Sequence, residues 1–341
     1  QASSSGSQGA SRLRGGGDLP RPRPHKPMRA TLKSKTLGCL LGVAVGDALG
    51  APVEGMTRQQ IHDRYGLVED YVPERFGAGV WTDDTQLTLA LARSLSACGG
   101  FDPVDFARRM AAWLPEARGA GLASATAAGR LALGVPWQEA GVESAGCGSA
   151  MRAAPLGLFH RRDTPSILAD AATSSRCTHT DSRALAMTAA LALAVARLLE
   201  PEPPEPRDML GELARAAEPI DARAARAIAR LSPLLDGPLE AGLETTGVGG
   251  FVMETVPAAL LIFAHHAEDL EASVIAAVAA GGDTDSIASM VGALSGAAAG
   301  HEAIPARWLE GLDGREEIEA VSADLYRAAE AKEVAHARPN E

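Results

Sequence analysis

Residues 81–95 read WTDDTQLTLALARSL, and residues 281–297 read GGDTDSIASMVGALSGA. Each stretch places Asp with Thr or Ser directly before an apolar helical pattern, where side-chain oxygens can cap the free N–H groups of a first turn. The same helical period recurs through most of the chain, and patterns typical of strands are nearly absent. The sequence therefore predicts an all-α protein.

The composition favours helices that pack closely on one another. Aromatic residues make up 4% of the 341 residues, although the hydrophobic fraction is 46%. Ala, Leu and Val must therefore build the core, which suits helices better than a β-sandwich. The predicted helices span residues 36–50, 84–98, 103–114, 121–133, 183–199, 207–232, 252–267, 270–280, 285–300 and 315–332.

Local composition indicates where the folded part begins and ends. Residues 1–32 are rich in Ser, Gly, Pro and Arg for most of their length, and we predict that they form a disordered tail. The prolines of residues 201–206, PEPPEP, interrupt the helical region because consecutive prolines cannot continue a helix. We expect one domain over residues 33–328 and a frayed, charged tail over residues 329–341.

Net charge and cysteine usage exclude several classes of protein. The net charge of −11 argues against a general nucleic-acid binder, which needs a basic face to bind phosphates. The four cysteines are scattered and form no CxxC pair. This spacing indicates neither a zinc site nor a disulfide framework, and it favours a cytoplasmic location.

We expect no apolar run long enough to cross a membrane. The longest candidate, residues 184–199, is broken by Thr188 and Arg197, so we interpret it as a buried helix. The segment that begins at Met28 resembles a signal peptide, because basic residues precede a short apolar stretch. We favour a first core helix, since cleavage after that stretch would remove residues of the motifs described below.

The two acidic clusters offer more oxygen atoms than helix capping uses. Asp83, Asp84, Asp283 and Asp285 supply four carboxylates, and neighbouring Thr and Ser residues add hydroxyls. If the two helix starts converge, the charges repel strongly unless cations neutralise them. Two divalent cations balance four carboxylates. Oxygen ligands without His or Cys select hard ions such as Mg²⁺, Mn²⁺ or Ca²⁺ over Zn²⁺.

A rival interpretation is an all-helical terpene or prenyl synthase, which uses two Asp-rich motifs to hold Mg²⁺ and a diphosphate. The first motif of those enzymes, DDxxD, places carboxylates one turn apart on one helix face. In this chain the residues one turn after the first acidic pair are Leu87 and Thr88. That face therefore lacks its carboxylate, and the rival is weakened.

Six segments, in this order, resemble the ADP-ribosylglycohydrolases, a family that includes the mammalian ADP-ribosylhydrolases and the enzyme that releases ADP-ribose from dinitrogenase reductase. The resemblance runs from Gly38 to Leu309. It implies a single orthogonal helical bundle with a binuclear Mg²⁺ or Mn²⁺ site and an ADP-ribose cleft beside it. The segments are GCLLGVAVGDALGAPVEG (38–55), WTDDTQLTLALARSL (81–95), GCGSAMRAAPLGL (146–158), THT (178–180), GVGGFVMETVPAAL (247–260) and GGDTDSIASMVGALSGA (281–297).

The resemblance also assigns roles to residues of this sequence. It implies that Glu54 is catalytic as an acid or base, together with Asp84 and Asp283. The implied metal ligands are Thr82, Asp83, Asp84, Asp283, Asp285 and Ser286. The implied substrate-binding residues are Gly146, Cys147, Gly148, Ser149, Met151, His179, Gly249, Gly250 and Phe251. Cys147 replaces an Asn that is common in the family, and Phe251 lacks the hydroxyl of a frequent Tyr, so substrate preference stays open.

The favoured function is a metal-dependent hydrolase that cleaves the glycosidic bond at the distal ribose C1″ and releases ADP-ribose. Its expected partner is an ADP-ribosylated protein, with Arg or Ser linkages favoured, or a small molecule; a modified nucleic acid stays open. One alternative is a descendant of the family that binds ADP-ribose or serves a structural role without catalysis. A less favoured alternative is the diphosphate synthase. We expect a monomer that does not bind membranes.

Overall fold

The computed structural model describes residues 30–267 and 269–337, and most of the predicted N-terminal tail, residues 1–29, lies outside them. Within the described ranges the protein is 71% helical and has no strands. This confirms the all-α prediction. The α-helices are α1 Leu32–Gly50, α2 Arg58–Tyr65, α3 Asp83–Cys98, α4 Pro103–Trp113, α5 Leu122–Ala132, α6 Trp137–Ala140, α7 Ala154–His160, α8 Thr164–Arg176, α9 Ser182–Leu198, α10 Pro206–Ala217, α11 Ala222–Ala229, α12 Leu231–Leu234, α13 Leu239–Thr246, α14 Val252–His265, α15 Leu270–Ala279, α16 Thr284–Ala299, α17 Ala306–Gly311 and α18 Arg315–Ala337.

Helices α1 and α16 form the centre of the core and pack with their backbones in direct contact. A Cβ atom on Gly42 would lie 2.1 Å from the carbonyl oxygen of Gly292, and one on Gly46 would lie 2.0 Å from that of Ala288. Glycine at these positions leaves no side chain between the helices. The two helices run antiparallel, so the end of α1 lies beside the start of α16.

The first helix meets the length and composition of a membrane span, so the expectation that no apolar run is long enough is wrong. The segment Leu32–Val53 has a mean hydropathy of 1.6, and 89% of the qualifying window is buried inside the structure. It packs against α16, α18 and α3. This burial agrees with its interpretation as a first core helix.

Side-chain capping begins many helices, as the sequence patterns indicate. Within the described residues, seven helices start with a Thr or Asp side chain that accepts a hydrogen bond from an N–H group of the first turn. These residues are Thr31, Thr57, Asp102, Asp163, Asp181, Asp221 and Asp269. The N-cap residues of α3 and α16, Thr82 and Asp283, make no such bond. The two acidic clusters are therefore not explained by capping.

The helix predictions differ from the structure in several places. Helices α2, α6, α8, α13 and α17 lie outside every predicted range, and three further differences have local reasons. The predicted helix 207–232 is divided into α10, α11 and α12, because Asp221 caps a new helix start. Helix α7 was not predicted, because its 7 residues are too few for a helical period to be recognised. Helix α18 continues to Ala337, and Ala329 is fully buried, so the fold extends past the expected boundary at residue 328.

Candidate functional site

The two acidic clusters meet because the end of α1 contacts the start of α16. A Cβ atom on Gly50 would lie 2.4 Å from the carbonyl oxygen of Thr284. The hydroxyl of Thr284 donates a hydrogen bond to the Gly50 carbonyl at 2.8 Å. The second cluster, which contains Asp283 and Asp285, is therefore held against the last turn of α1. That turn also positions the first cluster, which contains Asp83 and Asp84.

Asp47, fully buried in that last turn, caps α3 in place of the helix's own N-cap residue. Its carboxylate accepts hydrogen bonds from the N–H groups of Thr82 at 2.9 Å and Thr85 at 3.0 Å. The hydroxyls of the same two residues donate to it at 2.8 and 2.6 Å. Burial raises the pKa of Asp47 although these hydrogen bonds favour the charged form. Asp83 and Asp84 are thus left free of a capping role.

One carboxylate oxygen of the first cluster has no hydrogen-bond partner among the described residues. Asp84 Oδ1 is buried and accepts no hydrogen bond from any residue that the structure describes. The hydroxyl of Ser286 donates to the other oxygen, Oδ2, at 3.5 Å and links the two clusters. A buried polar atom without a partner costs about 1–3 kcal/mol or more. A cation bound beside Asp84 would remove that cost, so these residues fit the predicted metal site.

Burial and mutual repulsion raise the pKa of the carboxyl groups in both clusters. Burial, followed by the charge of Asp47, raises the pKa of Asp83 to about 7. Burial and the charge of Asp285 raise the pKa of Asp84 well above its usual range, and burial and the charge of Asp283 do the same for Asp285. Divalent cations would stabilise the charged forms. The electrostatics therefore also fit a cation site.

Two loops pair beside the second cluster. The N–H group of Gly55 donates to the carbonyl of Gly282 at 2.8 Å, and the N–H group of Gly282 donates to that of Met56 at 2.9 Å. Gly282 has a φ of 77°, and a Cβ atom there would lie 2.1 Å from the carbonyl oxygen of Val248. Only glycine fits this position without strain. The pairing brings Glu54, the residue before Gly55, to the second acidic cluster.

That residue, Glu54, joins the candidate ligands directly. One carboxylate oxygen from each of Glu54, Asp283 and Asp285 lies within 4.8 Å of the other two. This spacing fits a single cation with oxygen ligands at about 2.0–2.6 Å. Arg75 forms a salt bridge with the Glu54 carboxylate and donates to the carbonyl of Ala51 at 3.1 Å. Glu54 is thus oriented between a basic side chain and the acidic cluster.

The Gly-rich loop of residues 146–152 places the thiol of Cys147 at the second acidic cluster. The N–H group of Cys147 donates to the carbonyl of Gly250 at 3.1 Å, which joins this loop to the segment before α14. The Cys147 thiol donates to Asp283 Oδ2 at 3.1 Å and lies 3.6 Å from Ser286 Oγ. Burial and the charge of Asp283 raise the pKa of Cys147 well above its usual range.

Two further residues of this loop face opposite directions. Met151 Sδ lies 3.9 Å from Ser286 Oγ, at the cluster. Ser149 is fully buried, and its hydroxyl pairs with those of Thr188 and Ser175 at 2.9 Å each. The Ser149 hydroxyl therefore faces the core, and the predicted substrate contact is restricted to its backbone.

His179 is a neutral, buried residue beside the same loop. Burial, followed by the charge of Arg152, lowers the pKa of His179 to about 3. Its Nδ1 lies 2.8 Å from the hydroxyl of Thr178. A Cβ atom on Gly148 would lie 3.3 Å from His179 Nε2, so Nε2 is directed at the Gly-rich loop. Glycine at this position leaves room between the loop and the ring.

Phe251 and Gly249 lie at the edge of the site. Phe251 is 39% exposed, and the guanidinium carbon of Arg183 lies 5.2 Å from its ring centroid. The N–H group of Gly249 donates to Glu254 at 2.9 Å. This N–H group already has a protein partner, which leaves the exposed ring as the more available of the two for a ligand.

A cleft of about 290 Å³ is lined by residues of both acidic clusters, Glu54, the Gly-rich loop and His179. A cavity of about 630 Å³ lies elsewhere, beside Arg161 and Lys332, so size alone does not identify the site. The predicted residues that line the cleft are Glu54, Asp83, Asp84, Gly146, Cys147, Gly148, Met151, His179, Gly250, Asp283, Asp285 and Ser286. Thr82, Ser149, Gly249 and Phe251 are not part of this lining.

Other residues of the site were missed by the sequence analysis. No motif marks Asp47 as the cap of α3 or Arg75 as the partner of Glu54, because each contact joins distant segments. The cleft-lining residues that were not predicted are Gly119, Gly121, Leu122, Ala123, Ser124 and Ser144. The N–H group of Gly121 donates to Asp83 at 3.4 Å, a loop contact that no local sequence pattern signals.

Known proteins share this chain's sequence and fold. A sequence model of the ADP-ribosylglycohydrolases matches residues 28–335. An uncharacterised protein of Archaeoglobus fulgidus is 40% identical over 301 residues, 86% of this chain and 97% of the relative. The ADP-ribosylarginine hydrolase Tri1 of Pseudomonas putida is 28% identical over 308 residues, 86% of this chain and 78% of the relative. A solved structure described as an ADP-ribosylglycohydrolase-related protein complex is 37% identical, with a TM-score of 0.72 over 87% of this chain and 99% of the other.

Proposed function

This chain belongs to the ADP-ribosylglycohydrolase family, and we propose that it is a metal-dependent hydrolase that releases ADP-ribose from an ADP-ribosylated protein. The observation that most strongly supports this proposal is the convergence of Glu54, Asp283 and Asp285, whose oxygen atoms lie within 4.8 Å of one another in a cleft. The unpartnered oxygen of Asp84 in the same cleft adds to it.

Two divalent cations, Mg²⁺ or Mn²⁺, are the proposed cofactors. Thr82, Asp83, Asp84, Asp283, Asp285 and Ser286 would hold them, and the position of Glu54 adds a seventh candidate ligand. Bound cations would neutralise the clustered carboxylates and attract the hydroxyl oxygens of a ribose, which are hard ligands. The Thr82 hydroxyl donates to Asp47, so only a lone pair of its oxygen is available to a cation.

Glu54 is the proposed proton carrier of the reaction. Hydrolysis forms a bond from a water oxygen to C1″ and breaks the bond from C1″ to the leaving atom. The Glu54 carboxylate would accept the proton of that water, and the protonated form can return it to the leaving atom. Asp84 and Asp283 would act indirectly, by holding the cations that attract and orient the ribose hydroxyls. The leaving group then departs with that proton, and ADP-ribose is released.

The rest of the cleft would bind the ADP-ribose part of the substrate. The small residues Gly146 and Gly148 let the loop backbone approach a pyrophosphate closely. Neutral His179, whose Nε2 faces that loop, can donate or accept a hydrogen bond to a ribose hydroxyl. Outside the cleft lining, at the edge of the site, the exposed ring of Phe251 offers a stacking surface for adenine. These contacts would not distinguish one leaving group from another.

Arginine is the first linkage to test, because a relative that covers most of this chain is an ADP-ribosylarginine hydrolase. Serine linkages are the second, and modified nucleic acids and O-acetyl-ADP-ribose are further candidates. A panel of ADP-ribosylated Arg and Ser peptides, modified nucleic acid and O-acetyl-ADP-ribose, incubated with Mg²⁺ or Mn²⁺, tests all of them. Release of ADP-ribose from at least one is expected.

The alternative is a protein that binds ADP-ribose without cleaving it. The convergent carboxylates argue against it, since binding alone does not require so many buried charges. ADP-ribose binding by calorimetry, together with no turnover on the whole panel, would support this alternative. A diphosphate synthase is no longer a candidate, because the chain belongs to a different family.

We further propose that the protein is a monomer and that it is cytoplasmic. A cytoplasmic location suits the four cysteines, which are free thiols.

A further inference from the structure

The Gly-rich loop brings a sulfur atom into a site that the sequence predicts to hold oxygen ligands alone. Cys147 Sγ lies 3.1 Å from Asp283 Oδ2 and 3.6 Å from Ser286 Oγ. Both partners are candidate metal ligands. The sequence analysis considered only the two acidic motifs, which contain no cysteine, because residue 147 is distant in sequence from both and only the fold joins them.

A second observation points to a ligand beside this sulfur atom. Asp84 Oδ1 is buried, lacks a hydrogen-bond partner among the described residues, and belongs to a side chain that lines the same cleft. The other oxygen of Asp84 is 3.5 Å from Ser286 Oγ, so Ser286 lies between the thiol and the unpartnered carboxylate. The cleft thus holds a sulfur donor and carboxylate donors on two sides of one hydroxyl.

The separation of the donors suits a thiophilic divalent ion. Zinc binds sulfur at about 2.3 Å and carboxylate oxygen at about 2.0–2.2 Å, so a sulfur and an oxygen ligand lie roughly 3.1 Å apart at a right angle and roughly 3.6 Å apart in a tetrahedron. The distance of 3.1 Å from Cys147 Sγ to Asp283 Oδ2 lies at the lower end of that range. A hydrogen bond now spans this distance, and an ion would take the place of its proton.

We propose that Cys147 is an additional ligand through which this site binds thiophilic divalent ions such as Zn²⁺ and Cd²⁺, with Asp283 and Asp84 as oxygen ligands. The inference rests on the cation site of the proposed function and extends it to a second class of ion. Binding forms a bond between sulfur and the metal, breaks the S–H bond and releases the proton to solvent. No oxidation or reduction takes place. A thiophilic ion bound in this way competes with Mg²⁺ or Mn²⁺ for Asp283.

Cobalt titration of the full-length protein tests this inference without reference to activity. Co²⁺ bound by a thiolate gives a near-ultraviolet charge-transfer band, and Co²⁺ bound by oxygen alone does not. The wild-type protein should show the band, Cys147→Ser should lose it, and Cys98→Ser should keep it, because Cys98 is an exposed thiol outside the cleft. Circular dichroism confirms that each variant is folded, and Cys147→Ala serves as a second variant.

Calorimetry with Zn²⁺ and Mg²⁺ completes the test. Zn²⁺ affinity should fall at least about tenfold in Cys147→Ser, the scale for a lost contact at a metal site, whereas Mg²⁺ affinity should be unchanged. Equal Zn²⁺ affinities in folded wild type and variant, or an unchanged cobalt spectrum, would overturn the inference. Failure of the wild-type protein to bind Mg²⁺ or Mn²⁺, with the sulfur band present, would instead count against the proposed function.

Discussion

Asp47 and Thr82 lie 35 residues apart, and both the N–H group and the hydroxyl of Thr82 donate to the Asp47 carboxylate, at 2.9 and 2.8 Å. With the matching bonds from Thr85, one buried side chain satisfies the start of α3. The first acidic cluster is therefore placed by α1, and its own carboxylates stay available for a cation.

Replacing Asp47 should damage both stability and cation binding. In Asp47→Asn the amide NH₂ group would face hydroxyl and N–H donors, so buried donors lose their acceptor. We expect a loss of at least about 2 kcal/mol in the free energy of unfolding, since each buried unpaired group costs about 1–3 kcal/mol. Urea unfolding measures it. Asp102→Asn at the cap of α4 is the control, expected to cost at most about 1 kcal/mol; equal losses would contradict the role of Asp47.

Glu54→Gln should slow turnover at least ~10²-fold, the usual scale for a lost acid or base. Since Glu54 also lies within 4.8 Å of Asp283 and Asp285 oxygens, cation affinity must be measured on the same sample by calorimetry. Retained cation and ADP-ribose binding with slow single-turnover hydrolysis identifies a proton-transfer role. Exposed Glu240→Gln is the control. Normal turnover in Glu54→Gln would remove Glu54 from the mechanism.

Asp283→Ala and Asp285→Ala should abolish turnover and leave the protein folded. Each removes one carboxylate from a crowded anionic site, so the stability of the metal-free protein should not decrease. Thermal unfolding with and without Mn²⁺ checks this, and the stabilisation by Mn²⁺ should shrink in both variants. Unfolded variants with unaltered metal content would show that the second cluster is structural only.

Removal of divalent cations should stop the reaction reversibly. Exhaustive chelation is expected to abolish release of ADP-ribose, and added Mg²⁺ or Mn²⁺ should restore it, because the carboxylates of both clusters would otherwise repel one another and the substrate's phosphates. Far-ultraviolet circular dichroism should be unchanged by chelation. Full activity after chelation would contradict the metal-dependent mechanism.

Gly46→Ala should destabilise the protein through the contact of α1 with α16. Its Cβ atom would lie 2.0 Å from the carbonyl oxygen of Ala288, so the helices must separate, which costs about 1–3 kcal/mol or more. Gly211→Ala is the matched control, because its Cβ atom meets only the end of the Arg215 side chain, at 3.7 Å. That change should be neutral or stabilise by up to about 1 kcal/mol. Denaturant unfolding compares the two, and equal effects would contradict the packing argument.

Local features of the sequence predicted much of this fold. The helical period predicted where α4 and α9 begin, and in the structure Asp102 and Asp181 cap these starts through interactions that lie within one turn. The break before α11 was missed, since Asp221 interrupts a pattern that otherwise continues. Helix α7 was missed because its 7 residues span about two turns, too few for a helical period to be recognised.

Long-range contacts in the site could not be predicted from local patterns. The sequence motif identifies Asp283 and Asp285 as candidate oxygen ligands. The approach of Glu54 to them, however, depends on the backbone hydrogen bond between Gly55 and Gly282. The orientation of Ser149 likewise depends on Thr188 in another helix. Such pairings follow from how the helices pack, which a single sequence does not reveal by spacing.

The contact of Gly50 with Thr284, which joins residues 234 positions apart, also determines when the site can form during synthesis. The first cluster leaves the ribosome early, but its partner segment follows only after α15. Closing so long a loop is entropically slow and cannot precede the arrival of α16. A nascent chain that ends before residue 283 lacks the second cluster altogether. Tight cation binding would therefore require a chain synthesised beyond the start of α16, and by mass action the bound ion would hold the starts of α3 and α16 together.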